Sequence, residues 1–272
     1  MPSVESINIS KVNANGISHA ADQLAVEEPL EILLEYSTAT GRMQKNMAVT
    51  MRTPGHDEEL AAGFLFTEGV ISSSNAILSI QQNDANRVLV ILQEDIVPQL
   101  SQASRNFYST SSCGICGKAS IEAIRIASPF APEKDELFIN ASLLYNLQDA
   151  VKQNQKVFAD TGGIHASALF TISGEFIMLR EDIGRHNALD KVIGVAILQQ
   201  QLPLHHAVLF LSGRAGFELV QKAAVAGAKL IAAVGAPSSL AVELAREAGI
   251  TLVGFLREER FNIYSGEHRV RL

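Results

Sequence analysis

The sequence predicts an α/β protein with two domains, a smaller α+β domain over residues 1–108 and a larger α/β domain over residues 109–272. In the first hundred residues, the patterns predict a hairpin, then a helix, then two strands. From residue 205 onward, strand and helix patterns alternate regularly. A chain of 272 residues is long enough for two such hydrophobic cores.

The smaller domain is predicted from hydrophobic runs separated by turn residues. Residues 1–25 show no periodicity, so we expect the first part of them to be a loosely held lead-in. Acidic residues near the start and Gly69 just past the end mark the helix that follows the first hairpin. The patterns predict, in order, strands over 31–37 and 43–53, a helix over 57–69, and strands over 76–82 and 87–94.

The larger domain is predicted from apolar strands and glycine-ended helices. Helical spacing occurs over 118–127, 140–155 and 184–198, and a hairpin pattern over 168–172 and 175–181. Three fully apolar strands then alternate with two helices, which is typical of parallel strands joined by crossovers. These segments are strands over 205–213, 228–235 and 250–257, the last being the final strand, with helices over 216–227 and 238–249.

Ligands bind to open parallel sheets at the carboxyl ends of the strands. Here those ends are Ser212, Gly213 and Arg214, residues 235–239, and residues 255–260. We therefore expect all three loops to share one rim of the sheet. No dinucleotide fingerprint and no phosphate-binding P-loop motif occurs in them.

Composition excludes several classes of function. The net charge of −7 argues against sequence-wide attraction to nucleic acid. The first ten residues lack the pattern of a signal peptide, and the apolar stretches are too short to span a bilayer. These features predict a cytoplasmic protein without a membrane partner, in a compartment that keeps thiols reduced.

The only two cysteines, Cys113 and Cys116, lie in the small-residue loop SSCGICGK. The helix pattern that follows and Lys118 would both lower a thiol pKa, which favours a reactive thiolate. Redox chemistry, a half zinc site and sulfur transfer all use such a pair. No second cysteine pair exists to complete a zinc site, and the mid-chain position disfavours a thioredoxin-type role.

Two further motifs carry candidate functional side chains. His165 follows a glycine turn in TGGIHASA, where a structural role competes with a role in a site. Arg185 and His186 stand at a predicted helix start, an unfavourable place for cations unless an anion or a carboxylate meets them. The alternative partners within the chain are Glu181, Asp182 and Asp190.

The predicted rim also carries arginines and aromatic rings. Arg257 and Arg260 follow the last apolar strand, with Phe255 and Phe261 available for stacking. In an acidic protein, arginines beside glycine loops indicate an anionic ligand such as a phosphorylated nucleotide. The competing interpretation is that these arginines pair with Glu258 and Glu259.

Taken together, the motifs resemble those of the formate dehydrogenase accessory sulfurtransferase family. The resemblance covers about residues 25–265, in order. It runs through MRTPGHDEELAAGFLFTEGVI, SSCGICGK, TGGIHASA, EDIGRHNALDK, SGRAGFELVQKAA, GAPSSLAVELA and GFLREERFNIY.

The resemblance implies a sulfurtransferase-type function. Such proteins take sulfur from a cysteine desulfurase as a cysteine persulfide and pass it to the molybdenum of the bis(molybdopterin guanine dinucleotide) cofactor, before that cofactor enters formate dehydrogenase. It implies Cys113 as persulfide carrier and Cys116 as a second thiol. The cofactor would be a bound substrate that a guanine nucleotide can mimic, held at Phe255, Leu256, Arg257, Glu258, Glu259 and Arg260, with Ser212, Gly213 and Arg214 on the same rim.

The larger domain of this family resembles the cytidine-deaminase fold, yet this chain lacks the zinc signature of deaminases. Ser167 stands where a glutamate would follow His165, so we expect no deamination and no intrinsic metal. A non-catalytic chaperone that only holds the cofactor is the main alternative function, and a zinc-dependent hydrolase is a third. An apolar face on the second domain would also suit a homodimer.

Overall fold

The fold is known from a computed structural model that describes residues 1–100, 126–130 and 137–272. Its strands are β1 (Val4–Asn13), β2 (Gly16–Ala25), β3 (Glu28–Thr38), β4 (Gly41–Arg52), β5 (Ile77–Asp84), β6 (Arg87–Leu92), β7 (Ile139–Asn140), β8 (His165–Thr171), β9 (Phe176–Asp182), β10 (Ala207–Leu211), β11 (Leu230–Ala233), β12 (Thr251–Arg257), β13 (Arg260–Ser265) and β14 (Val270–Arg271). Its helices are α1 (Asp57–Thr67), α2 (Ala141–Asn154), α3 (Lys156–Thr161), α4 (Arg185–Leu198), α5 (Phe217–Val225) and α6 (Ser239–Glu247).

The larger sheet has six strands in the order β13-β12-β11-β10-β8-β9. Strands β10, β11 and β12 are parallel, which confirms the three parallel strands expected from the sequence. Strands β8, β9 and β13 run antiparallel to their neighbours. The prediction that β12 is the final strand is wrong, because β13 is an edge strand whose polar, partly exposed residues give little apolar signal.

Helices cover both faces of this sheet, and the strand residues alternate between them. On β10, Val208 and Phe210 join the hydrophobic cluster under α2, whereas Leu209 and Leu211 join the cluster formed with α4 and α5. The apolar pattern of β10 is continuous for this reason. In the described ranges, no helix is both long enough and apolar enough to cross a bilayer.

The smaller sheet has four strands in the order β4-β3-β6-β5. Its β3–β4 hairpin was predicted and is confirmed. Helix α1 lies on the buried face of this sheet and packs with its other side on α4. One hydrophobic cluster therefore runs from Leu30 in β3 to Leu252 in β12. Beyond its acidic first turn, α1 is apolar on nearly all sides because it is buried on all sides from Leu60 onward.

The prediction of a loosely held lead-in for the first part of residues 1–25 is wrong. These residues form an antiparallel hairpin, β1 with β2, that pairs with no other described strand. Most of its side chains are exposed on both faces, so the sequence lacks the alternation that a half-buried strand shows. The turn that ends in Asn15 and Gly16 was the available signal, since Gly16 has a φ of 123°.

Two predictions fall on residues outside the described ranges. The domain boundary near residue 108 and most of the helix predicted over 118–127 lie there, so both stay predictions. The likeness of residues 109–272 to the cytidine-deaminase fold also stays a prediction. The mixed α/β class itself is confirmed.

A partly buried ion pair fastens α1 to the larger sheet. Both oxygens of Glu59 accept hydrogen bonds from Arg180 on β9, at 2.6 and 2.9 Å, and His56 Nδ1 lies 3.3 Å from the same carboxylate. Burial alone would raise the pKa of Glu59, but the hydrogen bonds from Arg180 and His56 outweigh it and lower the pKa to about 2.

Acid should weaken this ion pair between Glu59 and Arg180. A carboxyl whose folded pKa is depressed contributes stability above its unfolded pKa of 4.5 and loses it as the pH falls toward 2. At pH 7 we expect Glu59→Gln to lower the free energy of unfolding by about 1–2 kcal/mol after allowance for solvent screening. Urea titrations at pH 7, 5 and 3.5 should show that the difference in unfolding free energy between wild type and Glu59→Gln becomes smaller as the pH falls. Asp149→Asn, at the exposed pair with Lys152, should give a smaller difference from wild type. A Glu59→Gln difference that widens with acid would contradict the assignment.

Candidate functional site

The three loops after β10, β11 and β12 lie side by side at one edge of the larger sheet, as the sequence predicted. Gly235 N donates to Gly213 O at 2.9 Å, and Phe255 N donates to Gly235 O at 3.2 Å. Ser238 N donates to Ala215 O at 3.1 Å. We call the edge formed by residues 212–216, 234–238 and 255–260 the rim.

The rim is packed too closely for side chains at its centre. A Cβ atom on Gly235 would lie 2.8 Å from the backbone of Arg214, well inside van der Waals contact. The absence of a side chain there lets the first two loops touch through their backbones. This contact fixes the position of the Arg214 backbone on the rim.

The arginines of the rim are short of carboxylate partners. Arg257 Nη1 donates to the carbonyls of Val234 at 3.0 Å and of Leu256 at 2.7 Å. Arg260 pairs with Arg257 across the turn, and like charges opposite each other are destabilising unless an anion lies between them. Within the described ranges, neither arginine forms an ion pair with Glu258 or Glu259, which argues against the competing interpretation of these residues.

Phe255 presents its ring at the end of β12. Its φ is 53°, in the left-handed region that bulky residues rarely adopt, and its side chain is 43% exposed. The next residue, Leu256, is fully buried in the cluster under α2. Strain of this kind persists where the surrounding structure enforces it, and here it turns an aromatic face outward beside two arginines.

The structure adds His165 to the rim, and the sequence did not place it there. Because β8 runs antiparallel to β10, the first residue of β8 lies at the carboxyl end of β10. Ser212 fixes this junction: its hydroxyl accepts from Ala166 N at 2.8 Å, and its own N donates to Ala166 O at 3.0 Å. The imidazole lies against Gly213, where a Cβ atom would come within 3.3 Å of the ring.

His165 is held in its neutral form. Burial is the main cause that lowers the pKa of His165, and the charge of Arg185 adds to it, while Asp182 opposes both. Near neutral pH the ring therefore has one N–H donor and one acceptor nitrogen. No hydrogen bond to either nitrogen occurs within the described part of the chain.

His186 has a carboxylate partner, but not one of those expected. Its Nε2 lies 3.2 Å from an oxygen of Glu218 on α5. The three expected carboxylates are engaged elsewhere: Asp182 with Lys191, Asp190 with Lys222, and Glu181 with the backbone N–H groups at the start of α3. Apart from the Asp182–Lys191 pair, these partners lie more than twenty residues apart in the chain, so the local sequence could not identify them.

Cys113 and Cys116 lie outside the described residues, so their predicted role stays a prediction. No group of three or more metal-ligating side chains occurs within the described ranges. Among the described residues, the rim is therefore the candidate binding site. It combines arginines, an exposed ring, backbone N–H groups and a neutral imidazole, which together suit a phosphorylated, aromatic ligand.

Comparisons with known proteins give a consistent match over nearly the whole chain. The FdhD/NarQ family model matches residues 25–271. A protein from Mycolicibacterium paratuberculosis named sulfur carrier protein FdhD is 49% identical, with 92% of each chain covered. A protein of the same name from Sulfolobus acidocaldarius is 41% identical, with 99% of each chain covered.

A solved structure shares the fold. It comes from Desulfotalea psychrophila and is assigned as a formate dehydrogenase accessory protein. The TM-score is 0.77 at 24% sequence identity, and the match covers 99% of this chain and 100% of that one.

Proposed function

Because this chain belongs to the FdhD/NarQ family, we propose that it is a sulfurtransferase-type sulfur carrier for the molybdenum cofactor of formate dehydrogenase. In this proposal, a cysteine desulfurase loads Cys113 with a persulfide. The sulfur then passes to the molybdenum of the bis(molybdopterin guanine dinucleotide) cofactor, before the cofactor enters the dehydrogenase. The shared name of the curated relatives supports the carrier half of this proposal.

The loading step is a thiol exchange. The Cys113 thiolate attacks the terminal sulfur of the desulfurase persulfide, a new S–S bond forms on Cys113, and the desulfurase thiolate leaves. No external oxidant or reductant is needed, because one sulfur–sulfur bond replaces another. In this proposal Cys116, three residues along the chain, is the second thiol that relays or resolves the persulfide.

The rim supports the cofactor half of the proposal, and its arginines are the observation that carries it. The chain has a net charge of −7, yet Arg257 and Arg260 lie opposite each other without carboxylate partners in the described ranges. A guanine nucleotide offers phosphates for these cations and a purine for the exposed ring of Phe255. Arg214 and the backbone around Gly213 would meet the same ligand from the neighbouring loop.

Mass spectrometry of the Cys113–Cys116 peptide tests the loading step. After incubation with a cysteine desulfurase and cysteine, we expect one added sulfur on Cys113 that a reductant removes. Cys113→Ala should abolish both this addition and the maturation of formate dehydrogenase. Ser111→Ala, in the same loop, is the matched control and should load normally. Full maturation by the Cys113→Ala protein would disprove the assignment.

A cofactor chaperone without sulfur chemistry is the second candidate, because the arginines of the rim need no thiol in order to hold an anion. Under that alternative, Arg257→Ala would impair maturation and binding of GDP, whereas neither cysteine substitution would matter. Under the carrier proposal both kinds of substitution impair maturation, and only the cysteine substitution prevents persulfide loading.

A further inference from the structure

The end of the rim nearest β8 and β9 holds a second pair of basic groups, His165 and Arg185. Both side chains are partly buried. Neither side chain makes a hydrogen bond or ion pair with any residue in the described ranges. The neighbouring charged groups differ in this respect, since Asp182 pairs with Lys191 and His186 with Glu218. A guanidinium that is partly withdrawn from water and has no carboxylate partner is a favourable place for an added anion.

The ring of His165 and the backbone at Arg185 are each held in position by neighbouring residues. A Cβ atom at Gly213 would touch the imidazole of His165, so the ring is confined against the backbone of the β10 loop. Arg185 begins α4 directly after a turn that Asp182 fixes, since the fully buried carboxylate accepts from Gly184 N at 2.8 Å. A ring that is already confined, like that of His165, binds an anion with little further loss of conformational entropy.

Strand spacing separates this pair from the arginines at the end of β12. Three inter-strand steps, from β12 through β11 and β10 to β8, amount to about 14 Å. A single diphosphate cannot bridge that distance. A ligand with two phosphorylated halves can reach both ends of the rim.

We propose that Arg185 and His165 form a second phosphoryl-binding subsite of the rim, distinct from the one at Phe255–Arg260. This inference rests on the proposed function, in which the ligand is a guanine dinucleotide cofactor with two phosphorylated arms. Arg185 supplies the positive charge and two parallel donors, and neutral His165 supplies one N–H donor.

Binding of an anion here should change the protonation of His165. The charged groups that act on the imidazole are Arg185 from α4 and Asp182 from β9. A phosphoryl group placed between Arg185 and the ring adds negative charge, which favours the imidazolium. Occupancy of the subsite is therefore expected to raise the pKa of His165, with uptake of a proton.

Nuclear magnetic resonance of the histidine rings tests this on the full chain. Inorganic pyrophosphate, GDP and guanosine are titrated separately at constant ionic strength while the His165 signal is followed across pH 5–8. Pyrophosphate and GDP should move the signal and raise its midpoint, whereas guanosine should not. Arg185→Gln should weaken pyrophosphate binding by about tenfold or more, and Arg185→Lys by less. Arg87→Gln, on the outer face of the smaller sheet, is the matched control and should leave affinity unchanged.

The inference is overturned if Arg185→Gln leaves pyrophosphate affinity within about twofold of wild type, or if guanosine moves the His165 signal as pyrophosphate does. A folded state is verified for each variant by its thermal unfolding midpoint. Failure here is distinguishable from failure of the proposed function, because persulfide loading of Cys113 does not require Arg185. An unloaded Cys113 would defeat the sulfur-carrier proposal whatever the subsite binds.

Discussion

Replacing Gly63 with alanine is expected to disrupt the packing of α1 on α4 and to remove a large share of the free energy of unfolding. A Cβ atom at Gly63 would lie 1.9 Å from the carbonyl oxygen of Asp190, and one at Gly194 would lie 1.8 Å from the carbonyl oxygen of Glu59. These neighbours are backbone atoms of helices, so they cannot rotate away. Relief requires the two helices to separate by more than an ångström, at the centre of the core that joins both sheets.

The expected loss is roughly 3–5 kcal/mol in the free energy of unfolding, a large share of the stability of an ordinary protein. Urea unfolding followed by circular dichroism measures it, or the soluble yield does if the protein fails to fold. Gly163→Ala is the matched control, because its Cβ would meet nothing closer than 3.9 Å. An unfolding midpoint for Gly63→Ala close to that of wild type would show that the helices are not in contact as described.

The parts of the fold that the sequence could predict are those set by local patterns. Strands β10, β11 and β12 are buried on both faces, so their apolar runs are unbroken and their parallel arrangement follows from the helices between them. The loops at Gly213, Gly235 and Phe255 then had to share one edge. The same logic fails for β1 and β2, which are exposed on both faces and carry no such pattern.

The parts of the site that the sequence could not predict depend on contacts between distant residues. His165 reaches the rim only because β8 inserts antiparallel beside β10, a choice that its own residues do not encode. His186 meets Glu218, and Asp182 meets Lys191, through the packing of α4. The sequence identified these basic residues as candidates. Only the strand order shows that His165 and Arg185 lie at one end of the rim and Arg257 and Arg260 at the other.

A buried polar network joins Thr53, after the last residue of β4, to the end of β9 and to α4. Asp182 Oδ2 lies 2.7 Å from Lys191 Nζ and accepts from Thr53 N at 3.2 Å. Lys191 Nζ also donates to Thr53 O at 2.9 Å, and Ile183 N donates to Thr53 Oγ1 at 3.2 Å. Asp182 and Lys191 are almost fully excluded from water, so each charge depends on the other.

Lys191→Met is therefore expected to destabilise the chain by about 3–5 kcal/mol at pH 7, because it leaves the Asp182 carboxylate buried without its cation. The double variant Lys191→Met with Asp182→Asn removes that unpaired charge and should recover part of the loss, although Asn cannot accept from all the N–H groups that the carboxylate serves. Urea unfolding of the wild type, both single variants and the double variant gives the coupling energy between the two side chains.

The pH dependence of the single variant gives an independent check on the cause. Burial already raises the pKa of Asp182, and Lys191 is the main group that opposes this. Without Lys191 the folded-state pKa rises further above the unfolded value, so stability is lost as the pH rises through it and regained as the pH falls. The deficit of Lys191→Met relative to wild type should thus shrink between pH 8 and pH 5. A deficit independent of pH, or a double variant less stable than Lys191→Met, would mean that the lysine acts through packing of its aliphatic stem and not through its charge.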